Sequence, residues 1–130
     1  MCNIKKILVV EDEANVRKLV TINLTSRGYQ VLQAENGKEA LFHLRNEKPA
    51  VMILDIKLPD LTGWEILDVV ASDPTLTADF PVLVMTASLG DANVDITPYP
   101  SVVEIMTKPF KTEKLISIIQ RILGKQEHVG

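Results

Sequence analysis

Five residues carry groups that could do chemistry together: Glu11, Asp12, Asp55, Thr86 and Lys108. Three carboxylates brought close disfavour one another's ionised forms, so such a cluster calls for compensating positive charge. Lys108 offers one ammonium, and a hard divalent cation would offer more. Mg2+ prefers oxygen ligands, keeps several waters, and commonly joins one or two carboxylates to a phosphoryl oxygen. Mn2+ is the alternative hard cation. His43 and His128 are expected to be exposed and neither has a metal partner at useful spacing, and Cys2 is the single cysteine, which sets zinc aside. A carboxylate can also act as a nucleophile, and its attack on phosphorus gives an aspartyl phosphate. The cation, the Lys108 ammonium and the Thr86 hydroxyl could each take one equatorial oxygen of the transferring group. Asp55 is the nucleophile candidate, because it ends an apolar run in the middle of the chain; Glu11 and Asp12 suit a metal.

These residues are far apart in sequence, so the fold must bring them together. Each follows a short apolar run. Ile7–Val10 precedes Glu11 and Asp12, Val51–Leu54 precedes Asp55, and Val82–Met85 precedes Thr86. Runs of this kind suit strands buried on both faces, as in a parallel sheet. Val31-Leu32 and Val102–Met106 are weaker candidates for two more, the latter leading to Lys108 and Pro109. Helical patterns lie between. Val16, Leu19, Val20 and Leu24 are expected on one face, with Gly28 as a stop. Asn36 and Glu39 resemble a capping box before Ala40, Leu41 and Leu44. Trp64, Leu67 and Val70 mark a third helix, with Trp64 read as packing. Leu115, Ile118, Ile119, Ile122 and Leu123 form the clearest stripe, with Gly124 as its expected end and Lys114, Ser117, Gln120 and Arg121 opposite. Strands alternating with helices predict a three-layer α/β sandwich of five strands and about five helices, joined by right-handed crossovers. In such folds ligands sit beyond the carboxyl ends of the strands, where the candidate residues stand.

At 130 residues and 46% hydrophobic, the chain suits one domain with a packed core. We read residues 1–130 as a single domain, with a core of about 5–124 and a tail at 125–130. The formal net charge is −3 and no basic patch stands out, which argues against direct nucleic-acid binding. No run approaches the roughly 20 apolar residues of a membrane helix. The lone cysteine fits a reducing cytoplasm.

The pieces ILVVEDE, VMILDIKLPDLTGWEIL, FPVLVMTAS and TKPF, in this order and spacing, resemble the receiver domain of two-component response regulators. The resemblance runs from Ile7 to about Leu123. It implies a flavodoxin-like, chemotaxis-regulator-like sheet of strand order 2-1-3-4-5. It also implies that Asp55 accepts a phosphoryl group from a histidine kinase or phosphotransfer protein, to control a downstream partner or an output domain. Asp12 would then be a direct Mg2+ ligand together with Asp55, Glu11 would act through water, and the Lys57 backbone carbonyl would complete the protein's share. Thr86 would be the switch hydroxyl and Lys108 the ion-pairing lysine, with a cis bond to Pro109. The module would act on itself and turn over no external substrate, as a monomer or a weak dimer.

The segment Asp91–Met106 departs from the family. Pro98 and Pro100 cannot both sit inside a helix. The family's helix between its fourth and fifth strands is therefore expected to be short, displaced or irregular. Ile105 stands at the family's aromatic switch position and has no ring to swing, which leaves Tyr99 as the candidate substitute. Taken singly, each candidate has a plainer reading: Asp55 as a strand-end acid, Glu11-Asp12 as a solvated pair, Thr86 as a strand former, Lys108 as a surface charge. Two other functions compete. A degenerate receiver would bind a partner without phosphorylation. A phosphotransferase of the haloacid-dehalogenase type would need an acid two residues after the nucleophile, where Lys57 stands.

Overall fold

The computed structural model describes residues 4–76, 80–87, 90 and 94–127. Five strands form one parallel sheet: β1 (Lys6–Val10), β2 (Gln30–Ala34), β3 (Val51–Asp55), β4 (Val82–Thr86) and β5 (Val102–Thr107), in the order β2-β1-β3-β4-β5. Among the described residues four helices accompany them: α1 (Ala14–Thr25), α2 (Gly37–Asn46), α3 (Gly63–Ser72) and α4 (Thr112–Glu127).

The period of two along each strand divides the interior into two cores. Leu8, Val10, Met52, Leu54, Val82 and Val84 face one way and pack with α2 and α3. Ile7, Val9, Val51, Ile53, Leu83 and Met85 face the other and pack with α1 and α4. Every one of these twelve side chains is fully buried. That explains why the three central runs are continuously apolar rather than alternating.

Local chemistry sets the helix ends. Beyond α1, Gly28 takes φ +92°, while its N–H donates to the Thr25 carbonyl and that of Tyr29 to the Leu24 carbonyl. This is the left-handed exit that a glycine permits without a Cβ penalty. At α2 the Asn36 side chain accepts from the Glu39 N–H, but Glu39 reaches back past Asn36 to accept from the Glu35 N–H, so the box is not reciprocal. The reciprocal box belongs to α3, between Thr62 and Glu65.

Three further expectations need correction. Leu19 is 50% exposed and does not share the buried face of Val20 and Leu24. Gly124 does not end the last helix, which runs on to Glu127. A glycine weakens a helix without stopping it, and the lysine, glutamine and glutamate that follow are good helix formers. His43 is half-buried rather than exposed, with Nε2 2.9 Å from the Gln33 carbonyl oxygen. His128 lies outside the described residues. So does part of the segment expected to replace the family's helix between β4 and β5, namely residues 88, 89 and 91–93; residues 94–101 form bends and turns.

Candidate functional site

The strand register brings the acids together before any side chain is considered. Val10 pairs with Leu54 across β1 and β3, so the next residues, Glu11 and Asp55, stand level on adjacent strands. Asp55 pairs with Met85, and Thr86 lies one step beyond it on β4. Thr86 pairs with Thr107, and its carbonyl accepts the Lys108 N–H at 2.8 Å. Lys108 then joins Pro109 through a cis peptide bond, as the sequence resemblance implied.

The side chains converge accordingly. One oxygen each from Glu11, Asp12 and Asp55 lies within 4.8 Å of the others. Lys108 Nζ bridges two of them, 2.5 Å from Glu11 Oε1 and 2.9 Å from Asp55 Oδ2. Glu13, mostly exposed, lies farther off at 3.8 Å. Glu11 and Asp55 are buried while Asp12 opens to solvent. Thr86 is buried at the same rim. Lys57 is exposed, and its N–H donates to Asp55 Oδ1 at 3.3 Å.

Electrostatically the cluster is short of positive charge. Burial, opposed by Lys108 and the Glu13 N–H and reinforced by neighbouring Asp55, pushes the Glu11 carboxyl up to about 7. Burial also works against the Lys108 ammonium, but its bonds to Glu11 and Asp55 outweigh that and raise its pKa. The Lys108 ammonium is shared between Glu11 Oε1 and Asp55 Oδ2, so two buried carboxylates draw on a single positive charge. A hard divalent cation fits this donor set: all oxygen, excess negative charge, and one open member facing water.

The loop after β3 is built for close approach. The Gly63 N–H donates to the Ile56 carbonyl, and a Cβ on Gly63 would lie 2.8 Å from the Asp55 carbonyl oxygen. Only glycine lets α3 start so near the end of β3. Two contributors carried no clear sequence signal. Arg17, a turn into α1, donates to the Glu11 carbonyl oxygen at 2.7 Å. Asp60 accepts from the Gly37 and Lys38 N–H groups of α2. Both are ordinary surface charges by type, and only the fold reveals their partners.

Ile105 is half-buried, opposite Val84, against the α2–α3 core. Tyr99 stacks on Trp64 instead, with ring centroids 5.0 Å apart and planes tilted by 31°. Burial and the Asp68 carboxylate push its phenol pKa up. Tyr99 also lines a cleft of about 370 Å³, with Leu67, Val70, Phe80, Pro98 and Val103 among others. It opens near the amino ends of β4 and β5, away from the acids, and none of its lining residues carries a charge.

Residues 7–120 match the family described as response regulator receiver domain. The chain belongs to that family. Receiver domains are phosphoacceptor modules of two-component signalling. Among similar proteins is the alkaline phosphatase synthesis transcriptional regulatory protein PhoP of Bacillus subtilis, 34% identical over 123 residues, covering 95% of this chain and 50% of that protein. The chain spans about half the length of the curated relatives it matches. Among solved structures, a CheY-like receiver domain from Methanospirillum hungatei superposes with a TM-score of 0.82 at 27% identity, covering 98% of this chain and all of the other. The response regulator TrrA of Thermotoga maritima, solved in complex with Mg2+-BeF, gives 0.77 at 29% identity, covering 92% and 99%. No helix among the described residues is long and apolar enough to cross a membrane.

Proposed function

We propose that the chain takes a phosphoryl group onto Asp55 from a phosphohistidine donor, either a histidine kinase or a phosphotransfer protein. The observation that carries this reading is the Lys108 ammonium, held against both Asp55 and Glu11 at the mouth of a three-carboxylate cluster. One Asp55 carboxylate oxygen attacks phosphorus in line, and the P–N bond breaks with its electrons returning to the imidazole. Lys108 moves from the carboxylate to a phosphoryl oxygen, keeping its charge buried and paired. The Thr86 hydroxyl, at the same rim on the adjoining strand, hydrogen-bonds another.

Mg2+ would be held by Asp12 and Asp55 directly, by Glu11 through water, and by the Lys57 backbone carbonyl, with Mn2+ able to replace it. When bound, it supplies the positive charge the cluster lacks and neutralises the incoming phosphoryl oxygens. Burial of Asp55 limits water's access to the phosphoryl group, and the exposed Lys57 side chain stands beside the path by which water arrives. The chain therefore catalyses its own phosphorylation and dephosphorylation and does not turn over an external substrate. It acts in the cytoplasm, as a monomer or a weak dimer, and its phosphorylated form controls a partner protein or an output domain. Residues 1–130 act as one receiver unit.

Incubation with acetyl phosphate, with and without Mg2+, tests this by intact mass. We expect one added phosphoryl group, dependent on Mg2+ and absent from Asp55→Asn. No gain with acetyl phosphate or with a phosphorylated histidine protein would instead favour a phosphorylation-independent binding module.

A further inference from the structure

The loop between β3 and α3 contributes the Lys57 carbonyl to the proposed metal site, and its outer limb is fastened to a helix from another part of the fold. Asp60 Oδ1 accepts from the Gly37 N–H at 2.7 Å and from the Leu61 N–H at 2.9 Å, while Oδ2 accepts from the Lys38 N–H at 3.0 Å. Gly37 and Lys38 open α2, whose first amide groups have no intrahelical partner, so a carboxylate there is strongly held. The contact is reinforced beside it. A Cβ on Gly37 would lie 2.8 Å from Leu61 Cδ1 and 2.9 Å from Leu61 Cβ, so the Leu61 side chain, from its Cβ outward, rests against a helix that has made room for it.

The fastening reaches the metal site through a short path. Lys57 and Thr62 form an antiparallel bridge across the loop, and Thr62 follows Leu61 directly. Asp60 and Leu61 therefore fix one side of a closed turn whose other side carries the Lys57 carbonyl. The remaining described ties of the loop run to β3, β4 or α3: the Ile56 N–H to Met85, the Gly63 N–H to Ile56, and the Thr62–Glu65 box. Among the described residues, Asp60 is the side chain that bonds this loop to α2.

We infer that Asp60 is a positioning residue: by clasping the amino end of α2, it holds the β3–α3 loop so that the Lys57 carbonyl faces the carboxylates of Asp12 and Asp55. The inference rests on the metal reading given above. It differs from a capping role, which would stabilise α2 and leave cation affinity alone. α2 has a second cap that separates the two roles. The Asn36 side chain accepts from the Glu39 N–H at 2.8 Å and bonds nothing in the loop.

Calorimetric titration of Mg2+ into the full chain, with a thermal melt of each protein, tests the distinction. Asp60→Ala removes the clasp, and Gly37→Ala pushes Leu61 and the loop away while leaving α2 an intact, slightly better helix former. We expect both to weaken Mg2+ binding, Asp60→Ala by about tenfold, as loss of a supporting contact does at other metal sites. Asn36→Ala should lower the melting temperature yet keep the wild-type Kd. Wild-type affinity in both Asp60→Ala and Gly37→Ala would overturn the inference, and so would an equal loss of affinity in Asn36→Ala. Should Asp60→Ala fail to fold, Gly37→Ala decides alone. A wild-type chain that binds no Mg2+ would sink the metal reading itself, and this inference with it.

Discussion

β3 carries Asp55 to the rim, and Gly63 lets the following helix start against its carbonyl. Any side chain at position 63 would press on that oxygen and on the Ile56 Cα, 3.1 Å away. Gly63→Ala should therefore cost about 1–3 kcal/mol, the usual range for overpacking, and should slow phosphorylation by shifting the acceptor. Urea melts and acetyl phosphate kinetics would check both, and unchanged values would show that the loop yields freely. At this scale the sequence was informative where function sits at strand ends. Glu11, Asp12, Asp55, Thr86 and Lys108 each follow an apolar run or lie just past one, so residue type and position together mark them out. Arg17 and Asp60 escaped notice because their roles come from partners, Glu11 and α2, that no local pattern announces.

The helices show where periodicity reads well and where it misleads. Leu115, Ile118, Ile119, Ile122 and Leu123 are all buried, as their spacing predicts. Leu19 is not, because at about 100° per residue it lies roughly 100° from the centre of the Val16–Val20–Leu24 stripe. Apolar type drew it into the pattern and geometry put it out. Gly124 misled in the opposite sense, since a glycine late in a helical stretch reads as a stop. It sits inside α4 with nothing within 4 Å of where a Cβ would be. Gly124→Ala should thus stabilise the fold by up to about 1 kcal/mol, seen as a higher urea midpoint at unchanged slope. A lower midpoint would mean that the helix is not formed there.

The junction of α2 with the loop also has a pH signature. Partial burial tends to raise the Asp60 carboxyl, but the Gly37, Lys38 and Leu61 N–H donors outweigh it and leave the pKa below the ordinary value. A carboxyl whose pKa is depressed by folding stabilises the native state above its unfolded pKa, near 3.9, and loses that contribution as pH falls through the folded value. The melting temperatures of the native chain and Asp60→Ala should therefore differ most near neutral pH and converge below about pH 4. A constant gap across that range would mean the carboxylate charge is irrelevant to the clasp.

For the molecule as a whole, the alternation of apolar runs and helical stripes was enough to give the parallel three-layer fold. The strand order was implied by family resemblance, and the observed order, β2-β1-β3-β4-β5, is the same. Local pattern could not supply it, because order is decided by which runs pair across long crossovers. The segment leading into β5 is built apart from the acid rim. Ile105 has no ring, Pro98 and Pro100 flank Tyr99, and Tyr99 lies on Trp64, the single tryptophan. The phosphoryl chemistry proposed here does not depend on that segment, since the acids and Lys108 are assembled by β1, β3 and the end of β5. The most direct test that Asp55 is the phosphoryl acceptor is to phosphorylate the chain in Mg2+, reduce the acyl phosphate with borohydride, and locate the resulting homoserine by peptide mass spectrometry. Homoserine is expected at position 55 alone. Its appearance at Asp12 or another acid, or nowhere under conditions that label a known receiver, would contradict that role.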